Sequence, residues 1–444
     1  MTGATLAFDC PLAAIPGPAS LPLPPHKTQS SVARVHELGN TFRGLLSSSG
    51  LFSMCRNSVS WESPLQTRVS RWFSSAIPLL AVLGCPVHGQ APLLTAAKVE
   101  PALDGIFAAF STHPLVGLGD RHGFSQLIEL YEAIIRDPRF AEDVRNVVVE
   151  FGGAAHQDVI DRYVNGDLVP YQELRGVWTD TVGWVPAVEH LGYAHFFAQV
   201  RQTNRALPLE KRIRVLLGEP PIDWNEIHTR EQWLKIVETR DRYAASVVKG
   251  VLARKEKALV IYGGAHFGRV SADERALRAQ WAKTDPQNAR PPQLSLQGLV
   301  ETEYPDAFFI VNEYIGLDDK ACQKRFEQRM NQWRMPALAV SLQSTALQRD
   351  MLQCHVTSRD QLRFPATMPK ALQDLLRAQI GNALFRGDAI LFVAPAADLT
   401  ESPMFPDLYL DVAYRQEIRR RAEIQTGQPL PDSWGGIVPT TPVD

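Results

Sequence analysis

From about residue 100 the sequence alternates between short apolar runs and longer amphipathic stretches. Several of the runs are apolar throughout rather than at every second position, which is what strands covered on both faces require. The alternation predicts an α/β fold in which a mainly parallel sheet is flanked by helices. Seven strands are predicted, at residues 115–118, 146–151, 213–217, 258–262, 307–311, 337–342 and 389–393.

The stretches between these runs indicate how the chain is organised. Residues 124–135 and 229–254 carry apolar side chains at helical spacing, and the second stretch predicts one long helix. A helical insert at 185–207 and a Pro- and Gln-rich connection at 283–296 look like additions to the alternating pattern. We predict a core over residues 92–282, a C-terminal α/β portion over 283–425 that continues the sheet or forms a second lobe, and a loose tail over 426–444.

The charge balance limits the classes of partner. A formal net charge of -2 over 444 residues provides no extended basic field for a polyphosphate backbone. Nucleic acid is therefore excluded as the main partner. Positive charge is concentrated in the predicted helix 412–424, which we interpret as a solvated face. A small molecule or a peptide is the expected substrate, and the oligomeric state is left open.

We predict that residues 1–91 form a disordered N-terminal extension. Its first 70 residues are rich in Ser and Pro and lack an apolar period, so they are disordered or are not natively translated. Within it, residues 54–91 combine arginines, an apolar run at 73–83 and small residues up to Ala91. This is the layout of a secretory signal peptide, with cleavage predicted after Ala91, and the run is too short for a permanent membrane span. We predict a periplasmic or secreted protein; lipoprotein processing at Cys85 fits less well.

The cysteines leave two interpretations open. Of the five in the chain, Cys322 and Cys354 follow the predicted cleavage site. They form one disulfide in an oxidising compartment, or they are two buried free thiols. No CxxC pair or Cys/His cluster predicts a structural zinc site.

Polar residues follow three of the predicted strands. Ligands of open parallel sheets bind beyond the carboxyl ends of the strands, so these positions are the first candidates for a site. His122 follows the first strand after a glycine-led turn, Glu150 closes the second and His266 follows the fourth. A buried carboxylate is costly unless it is paired or coordinated, which favours a functional Glu150. We predict that the two imidazoles and this carboxylate converge on one edge.

Further candidates lie near these three. Asp120 and Arg240 are added as catalytic candidates, although a loop aspartate also caps helices and an arginine also forms surface ion pairs. His156 and Asp241 are secondary candidates. His195 lies inside the helical insert beside two phenylalanines, and we interpret it as structural.

In this order the residues resemble a known group, which comprises the ChaN-like haem-uptake proteins, the Tiki-type proteases, the TraB-like proteins and the erythromycin esterases. The resemblance covers roughly residues 112–270 and implies a ChaN/erythromycin-esterase-like α/β fold. It is carried by Gly119-Asp120-Arg121-His122, by Val149-Glu150, by Arg240-Asp241 and by Gly263-Gly264-Ala265-His266, which look like the group's Gly-Glu-x-His, strand-ending glutamate, helical Arg-Asp and second Gly-x-x-His.

More narrowly, segments 150–152, 157–163 and 218–224 are similar to a bacterial ChaN-like subfamily of exported proteins with no settled activity. Two departures from the group's pattern matter. Asp120 stands where glutamate is usual, which shortens the reach to a metal or substrate. Alanines follow Arg240-Asp241 where methionine is often found, which weakens a haem-lining role there.

The leading functional hypothesis is hydrolysis of a peptide or ester bond. In a metal version, as the Tiki-type proteases imply, His122, Glu150 and His266 hold a divalent ion that activates water. In a metal-free version, resembling the esterases, His122 activates water, Glu150 or Asp120 orients its ring, and Arg240 stabilises the oxyanion.

The alternative is a haem-binding or small-ligand-binding protein without catalysis, as the ChaN name implies. Haem needs an axial ligand such as His or Tyr, and Tyr163, Tyr193 and Tyr243 are available. A third hypothesis is an inactive scaffold that keeps only the fold.

Overall fold

Eight strands form one sheet in the computed structural model, which describes residues 97–183, 189–289, 294–317, 319–340, 345, 347, 364–381 and 387–430. The strands are β1 (Lys98–Pro101), β2 (Leu115–Gly119), β3 (Asn146–Gly153), β4 (Arg214–Glu219), β5 (Ala258–Tyr262), β6 (Phe308–Glu313), β7 (Ala337–Val340) and β8 (Ala389–Phe392). Their spatial order is β1-β7-β8-β6-β2-β5-β3-β4.

The prediction of a mainly parallel α/β sheet is confirmed. All neighbours from β8 to β4 are parallel, whereas β7 pairs antiparallel with both β8 and β1. Each predicted strand overlaps an observed one, although residues 341 and 342 of the sixth lie outside the described residues. The sequence pattern missed β1, because Lys98–Pro101 is a short edge strand with no apolar run.

Helices cover both faces of the sheet. They are α1 (Ala102–Ala109), α2 (Ser125–Arg136), α3 (Pro138–Asp143), α4 (Gln157–Asn165), α5 (Tyr171–Thr179), α6 (Leu191–Arg205), α7 (Arg230–Val237), α8 (Arg240–Ala253), α9 (Ala272–Thr284), α10 (Leu296–Glu301), α11 (Lys320–Met330), α12 (Lys370–Gly381), α13 (Asp407–Leu410) and α14 (Val412–Thr426).

The apolar strands divide their side chains between two cores. Val147 and Val149 of β3 belong to the cluster that contains α2 and α6. Val148, between them, belongs to the cluster on the other face that contains α8 and α10. Alternation of the strand side chains therefore explains why these runs are apolar at every position.

The predicted insert at 185–207 is part of the main helical layer rather than an addition. Its helix α6 packs against α2 and α4, and Phe196 and Phe197 of α6 contact Phe151 of β3. Residues 184–188 lie outside the described residues. The C-terminal portion supplies β6, β7 and β8 to the same sheet as the earlier strands.

The prediction of one long helix over 229–254 is wrong. A capping box formed by Thr229 and Gln232 begins α7, which ends at Val237. The amide and the hydroxyl of Thr239 both donate to the carbonyl of Ile236, which tightens the chain before α8 begins at Arg240. This break determines where Arg240 enters the fold.

The interpretation of helix 412–424 as a solvated face is also wrong for two of its arginines. Arg421 is buried and donates to Asp180 and to the Thr179 carbonyl, while Arg420 donates to the carbonyls of Trp224 and Ile227. A guanidinium tolerates such burial when its donors are matched by acceptors. The two arginine side chains therefore attach α14 to the core through their hydrogen bonds.

A segment near the C-terminus closes over the loop that follows β2. Ser125 donates its backbone N–H to Thr400, and Ser402 donates its own to Gly123. His190 packs on Gly123 and bonds the Ser402 carbonyl through Nδ1 at 3.0 Å. We call residues 400–404 the strap.

Three earlier predictions fall wholly or partly outside the described residues: the extension 1–91 with its signal peptide, residues 290–293 of the connection 283–296, and residues 431–444 of the tail 426–444. Within the described residues, none of the helices is long and apolar enough to cross a membrane.

Candidate active site

Five neighbouring strands bring ionisable side chains to the carboxyl edge of the sheet. In spatial order, β6 ends in Glu313, β2 leads into Asp120 and His122, β5 leads into His266, β3 carries Glu150 and β4 ends in Glu219. The predicted convergence of His122, Glu150 and His266 is observed, since both imidazoles face one oxygen of Glu150.

His122 is held by Asp120. Its Nδ1 donates to Asp120 Oδ2 at 3.0 Å, which leaves Nε2 facing Glu150 Oε1 at 3.9 Å. Asp120 also accepts hydrogen bonds from Tyr131 at 3.0 Å and from Tyr193 at 2.8 Å. Asp120 is fixed by three donors, and the His122 side chain keeps 31% of its surface exposed.

His266 is oriented in the same way by the helix that precedes its strand. Its Nδ1 donates to Asp241 Oδ1 at 2.5 Å, and its Nε2 lies 3.4 Å from Glu150 Oε1. The ring of Tyr262 packs edge-on against it, with the centroids 5.3 Å apart. The site therefore contains two aspartate-oriented imidazoles whose Nε2 atoms point toward a common carboxylate.

Glu150 lies where β3 loses its regular register. The ladder of β3 with β4 is regular up to Val149 and resumes at Gly153, so Glu150 falls in an irregular stretch. The Glu150 carboxylate accepts from the Gly263 amide at 2.5 Å and from Arg240 Nη2 at 2.7 Å. It is buried, and both of its oxygens have donors.

Arg240 joins two buried glutamates. Its Nε and Nη2 form a forked contact with Glu219 at 2.8 to 3.0 Å, and Nη2 also reaches Glu150. Glu219 is fully buried, so this pairing compensates a carboxylate that would otherwise be very costly. Within the described residues, Nη1 of Arg240 donates no hydrogen bond.

The charges of the cluster shift the pKa values of its members. Burial alone would lower the pKa of His122, but Glu150 and Asp120 raise it to about 9. Burial likewise opposes charge on His266, and Glu150 and Asp241 raise its pKa to about 9. Burial would raise the pKa of Glu150, but His266, His122 and Arg240 hold it well below its usual range. At neutral pH the site is a carboxylate surrounded by three cations.

Gly263 leaves room at the centre of this cluster. A Cβ at position 263 would lie 3.3 Å from Glu150 Oε2, 3.7 Å from His122 Nε2 and 3.7 Å from a ring carbon of His266. A substrate atom that occupies this space is within reach of both imidazoles.

The remaining predicted candidates lie elsewhere. His156 Nε2 bonds Asp180 at 2.8 Å, in the contact that also involves Arg421, rather than the Glu150 cluster. His195 is exposed on α6. Of the predicted haem ligands, Tyr193 is fully buried on Asp120 and Tyr163 is covered by Arg201. Haem binding stays a prediction.

The sequence analysis missed Glu219 and Glu313 as site residues. Both are the last residue of an apolar strand, but the predicted strands stopped two residues before each of them. Extending each run to its first carboxylate would have found them. No sequence signal placed Tyr131 under Asp120, because that contact comes from the packing of α2.

The predicted metal ligands suit a divalent cation only in part. The imidazole Nε2 atoms converge as metal ligands do, with aspartates behind them. The carboxylate, however, is already bonded to Arg240, whose positive charge opposes a cation at the same oxygen. Within the described residues, no group of three or more His, Cys, Asp or Glu is arranged to hold a metal ion. Metal dependence stays a prediction.

Comparisons with known proteins add little to this site. No protein-family model matches the chain, and no curated protein matches it. A solved structure, that of the type III effector HopBA1, is similar with a TM-score of 0.30 and 14% sequence identity, over 50% of this chain and 88% of that chain. A likeness at this level carries no argument about activity.

Proposed function

We propose that the chain is an exported hydrolase that cleaves a peptide or ester bond by acid–base catalysis without a metal. The observation that carries the proposal is the convergence of two aspartate-oriented imidazoles on one space beside Glu150. Such preorganised donors stabilise charge that develops on a substrate oxygen, and they contribute most where water is displaced.

His122 is the proton donor of this proposal. The metal-free hypothesis from the sequence made it the base that activates water, but a pKa of about 9 favours the protonated ring at neutral pH. An imidazolium supplies a proton to the leaving group or a hydrogen bond to the carbonyl oxygen. His122 is also the more exposed of the two imidazoles, at 31% against 15%, which suits contact with a substrate.

The other residues support this role. Glu150 keeps both imidazoles charged, and the Gly263 amide and Arg240 hold its carboxylate in place. Arg240 Nη1 donates to none of the residues that the structure describes, and we assign it a hydrogen bond to a substrate oxygen, in keeping with the oxyanion role expected from the sequence. The catalytic set is therefore His122, His266 and Arg240, positioned by Asp120, Asp241 and Glu150.

Hydrolysis of p-nitrophenyl esters and fluorogenic peptides by the purified chain tests the proposal. His122→Gln is expected to lower the rate by about 10²-fold or more, the usual contribution of a positioned acid–base group. His195→Gln, an exposed histidine on α6, is the matched control and is expected to retain the rate. If the chain cleaves neither probe class, or if both variants behave alike, the proposal is wrong.

Metal analysis separates the two versions of hydrolysis. The metal-free proposal expects less than stoichiometric metal in the purified chain and a rate insensitive to chelators. A stoichiometric divalent ion that is lost in the His122→Ala, His266→Ala double variant would instead establish the metal version. Metal content that is unchanged by the double variant would exclude these residues as ligands.

The relationship to the ChaN-like, Tiki and erythromycin-esterase group belongs to the same proposal. It is supported by the contacts of the motif residues, because the Gly-Asp-x-His, Arg-Asp and Gly-x-x-His segments all have a side chain next to the Glu150 carboxylate. Export is supported by Cys322, which is disulfide-bonded, as expected in an oxidising compartment. Cys354 lies outside the described residues. Mass spectrometry of the secreted form, with an N-terminus expected after Ala91, tests export.

A further inference from the structure

A cavity lies at the amino edge of the sheet, at the opposite end of β3 and β4 from the candidate active site. Among its lining residues, Arg145 directly precedes β3 and Arg214 begins β4. Its volume is about 300 Å³, which is near the lower end of the roughly 300–1,000 Å³ that is usual for small-molecule sites. The cavity is large enough for a small ligand and is separate from the Glu150 cluster.

Most of the lining of this cavity is charged. Six of its ten lining residues are ionisable, three of them arginines and three of them acids: Arg145, Arg212, Arg214, Asp161, Glu210 and Glu256. Val164, Leu209 and Ile213 add a short apolar surface. A lining of this composition suits a small ligand that carries charge and a short apolar part, since the polar groups of a site set the orientation of its ligand.

Two of the arginines pair with no carboxylate among the described residues. Arg145 Nη1 donates to the backbone carbonyl of Glu210 at 2.8 Å, and Arg212 Nη1 donates to the carbonyl and the side-chain oxygen of the last residue of α4 at 2.9 and 3.3 Å. Arg214, in contrast, forms an ion pair with Glu256. Neutral oxygens therefore hold two guanidinium groups in place without neutralising their charge.

Two of the acids are likewise outside any ion pair in the part of the chain that the structure describes. The Asp161 carboxylate accepts a hydrogen bond from the Gln157 side-chain amide at 2.9 Å, whereas the Glu210 carboxylate accepts none from those residues. Glu256 differs from both, because it accepts from Arg214 and from Arg254. The cavity thus presents two positive and two negative charges that are not paired with each other.

Arg145 also has an unusual backbone conformation. Its φ of 64° lies in the left-handed region, which glycine and asparagine adopt far more readily than arginine. The conformation is held on both sides, since the Arg145 amide donates to the Phe140 carbonyl at 2.9 Å and its carbonyl accepts from the Arg214 amide at 2.7 Å. Backbone strain of this kind is concentrated at functional sites, which supports a use for the arginine side chain here.

We propose that this cavity binds a free α-amino acid with an aliphatic side chain. The carboxylate of the ligand pairs with Arg145 and Arg212, and its ammonium group pairs with Asp161 and Glu210. Guanidinium groups form strong, charge-assisted hydrogen bonds with carboxylates. Fixed charges of both signs complement a zwitterion better than they complement a simple anion or cation. The inference does not depend on the proposed hydrolase function, because it concerns the other edge of the sheet.

Isothermal titration calorimetry of the full chain tests the proposal with four probes. L-leucine carries both charges, N-acetyl-L-leucine lacks the cation, L-leucinamide lacks the anion, and inorganic phosphate is an anion alone. We expect saturable binding of one leucine per chain. Each blocked derivative is expected to bind about tenfold more weakly or worse, which is the usual contribution of a hydrogen bond to a charged group. Phosphate is expected not to displace leucine.

Variants of neighbouring residues locate the binding site. Arg212→Gln is expected to weaken leucine binding by about tenfold or more. Lys211→Gln is the matched control, because Lys211 is the preceding residue but pairs with Glu142 outside the cavity, and this variant is expected to bind leucine as the wild type does.

Glu210→Gln keeps the proposal testable if the arginine variant fails to fold, which thermal unfolding shows. The Glu210 side chain makes no hydrogen bond within the described residues, so its replacement removes no contact of the fold. This variant is expected to weaken the binding of leucine and to leave the binding of N-acetyl-leucine unchanged, because only leucine has the ammonium group.

The result with His122→Gln separates this cavity from the candidate active site. This variant is expected to bind leucine with unchanged affinity, and a loss of binding would place the ligand at the Glu150 cluster and overturn the proposal. The absence of saturable leucine binding at millimolar concentration would also overturn it. Equal affinity for leucine, N-acetyl-leucine and phosphate would identify a simple anion site instead, and folded Arg212 and Glu210 variants that bind like the wild type would exclude this cavity.

Discussion

Replacing Gly263 by alanine places a single methyl group at the centre of the proposed site. The new Cβ would lie 3.7 Å from His122 Nε2 and 3.3 Å from Glu150 Oε2. The first distance is ordinary contact, and the second requires Glu150 to move by a few tenths of an ångström. The substitution therefore fills the space between the catalytic groups without removing any of them.

The expected effects on stability and on activity have opposite signs. Gly263 has φ -51° and ψ 139°, which alanine adopts without strain. Gly→Ala at a compatible position stabilises a folded protein by about 0.4–1 kcal/mol, because it reduces the conformational entropy of the unfolded chain. This gain offsets the cost of a small displacement of Glu150. A water that is hydrogen-bonded to His122 Nε2 lies about 2.9 Å from that nitrogen. A water on the side of His122 that faces Gly263 would therefore overlap the new methyl group. We expect a loss of about 10²-fold in kcat/KM, the cost of displacing a reacting group by about 1 Å.

Gly264→Ala is the control next to it in the chain. A Cβ at Gly264 meets no atom within 4 Å, so the same chemical change falls in open space. Esterase kinetics and differential scanning calorimetry on both variants give the comparison. A Gly263→Ala variant that folds and keeps full activity would show that the reaction does not occur between His122 and Glu150, and the reasoning about this site would fail.

Three further predictions concern stability. Arg240→Ala removes the guanidinium from two buried carboxylates, Glu150 and Glu219, and is expected to cost about 3–5 kcal/mol in urea unfolding, whereas a cost below 1 kcal/mol would show that the pairing is unimportant. His122 and His266 have pKa values near 9 in the folded chain against 6.5 in the unfolded chain, so their contribution is complete below pH 6.5 and is lost as pH rises through 9. The melting temperature of the wild type is expected to fall between pH 6.5 and 9.5, and that of the His266→Gln variant is expected to fall by less. An equal fall in the two proteins would contradict this prediction. Arg421→Ala is expected to cost about 3 kcal/mol, and Arg415→Ala on the same helix about 0.5 kcal/mol or less, by chemical unfolding.

The sequence predicted the sheet well because its strands are buried on both faces. A run such as Val147 to Val149 must be apolar at every position when adjacent side chains enter different cores. The edge strand β1 has no such requirement and was missed. The break between α7 and α8 was missed because it depends on the hydrogen bond from Thr239 to the Ile236 carbonyl. The spacing of apolar residues gives no information about that bond.

The site was predictable where a rule of topology applied. Carboxyl ends of parallel strands share one edge, and this placed His122, Glu150 and His266 together. What could not be predicted is the identity of the partners. Arg421 and Arg420 looked like solvated charge until the fold brought α14 against Asp180 and Trp224. His156 was placed near the site by its position along the chain, yet its ring turns to Asp180.

The strap has a consequence for how the protein is made. Residues 400–404 hold the loop that carries His122, so residues about 280 positions apart in the chain must both be present before that loop acquires its final form. A growing polypeptide that has not yet reached residue 400 lacks this support, even with every catalytic side chain already synthesised. Pairings of such long sequence separation form late. Activity is therefore expected to arise only after residues 400–404 have been synthesised.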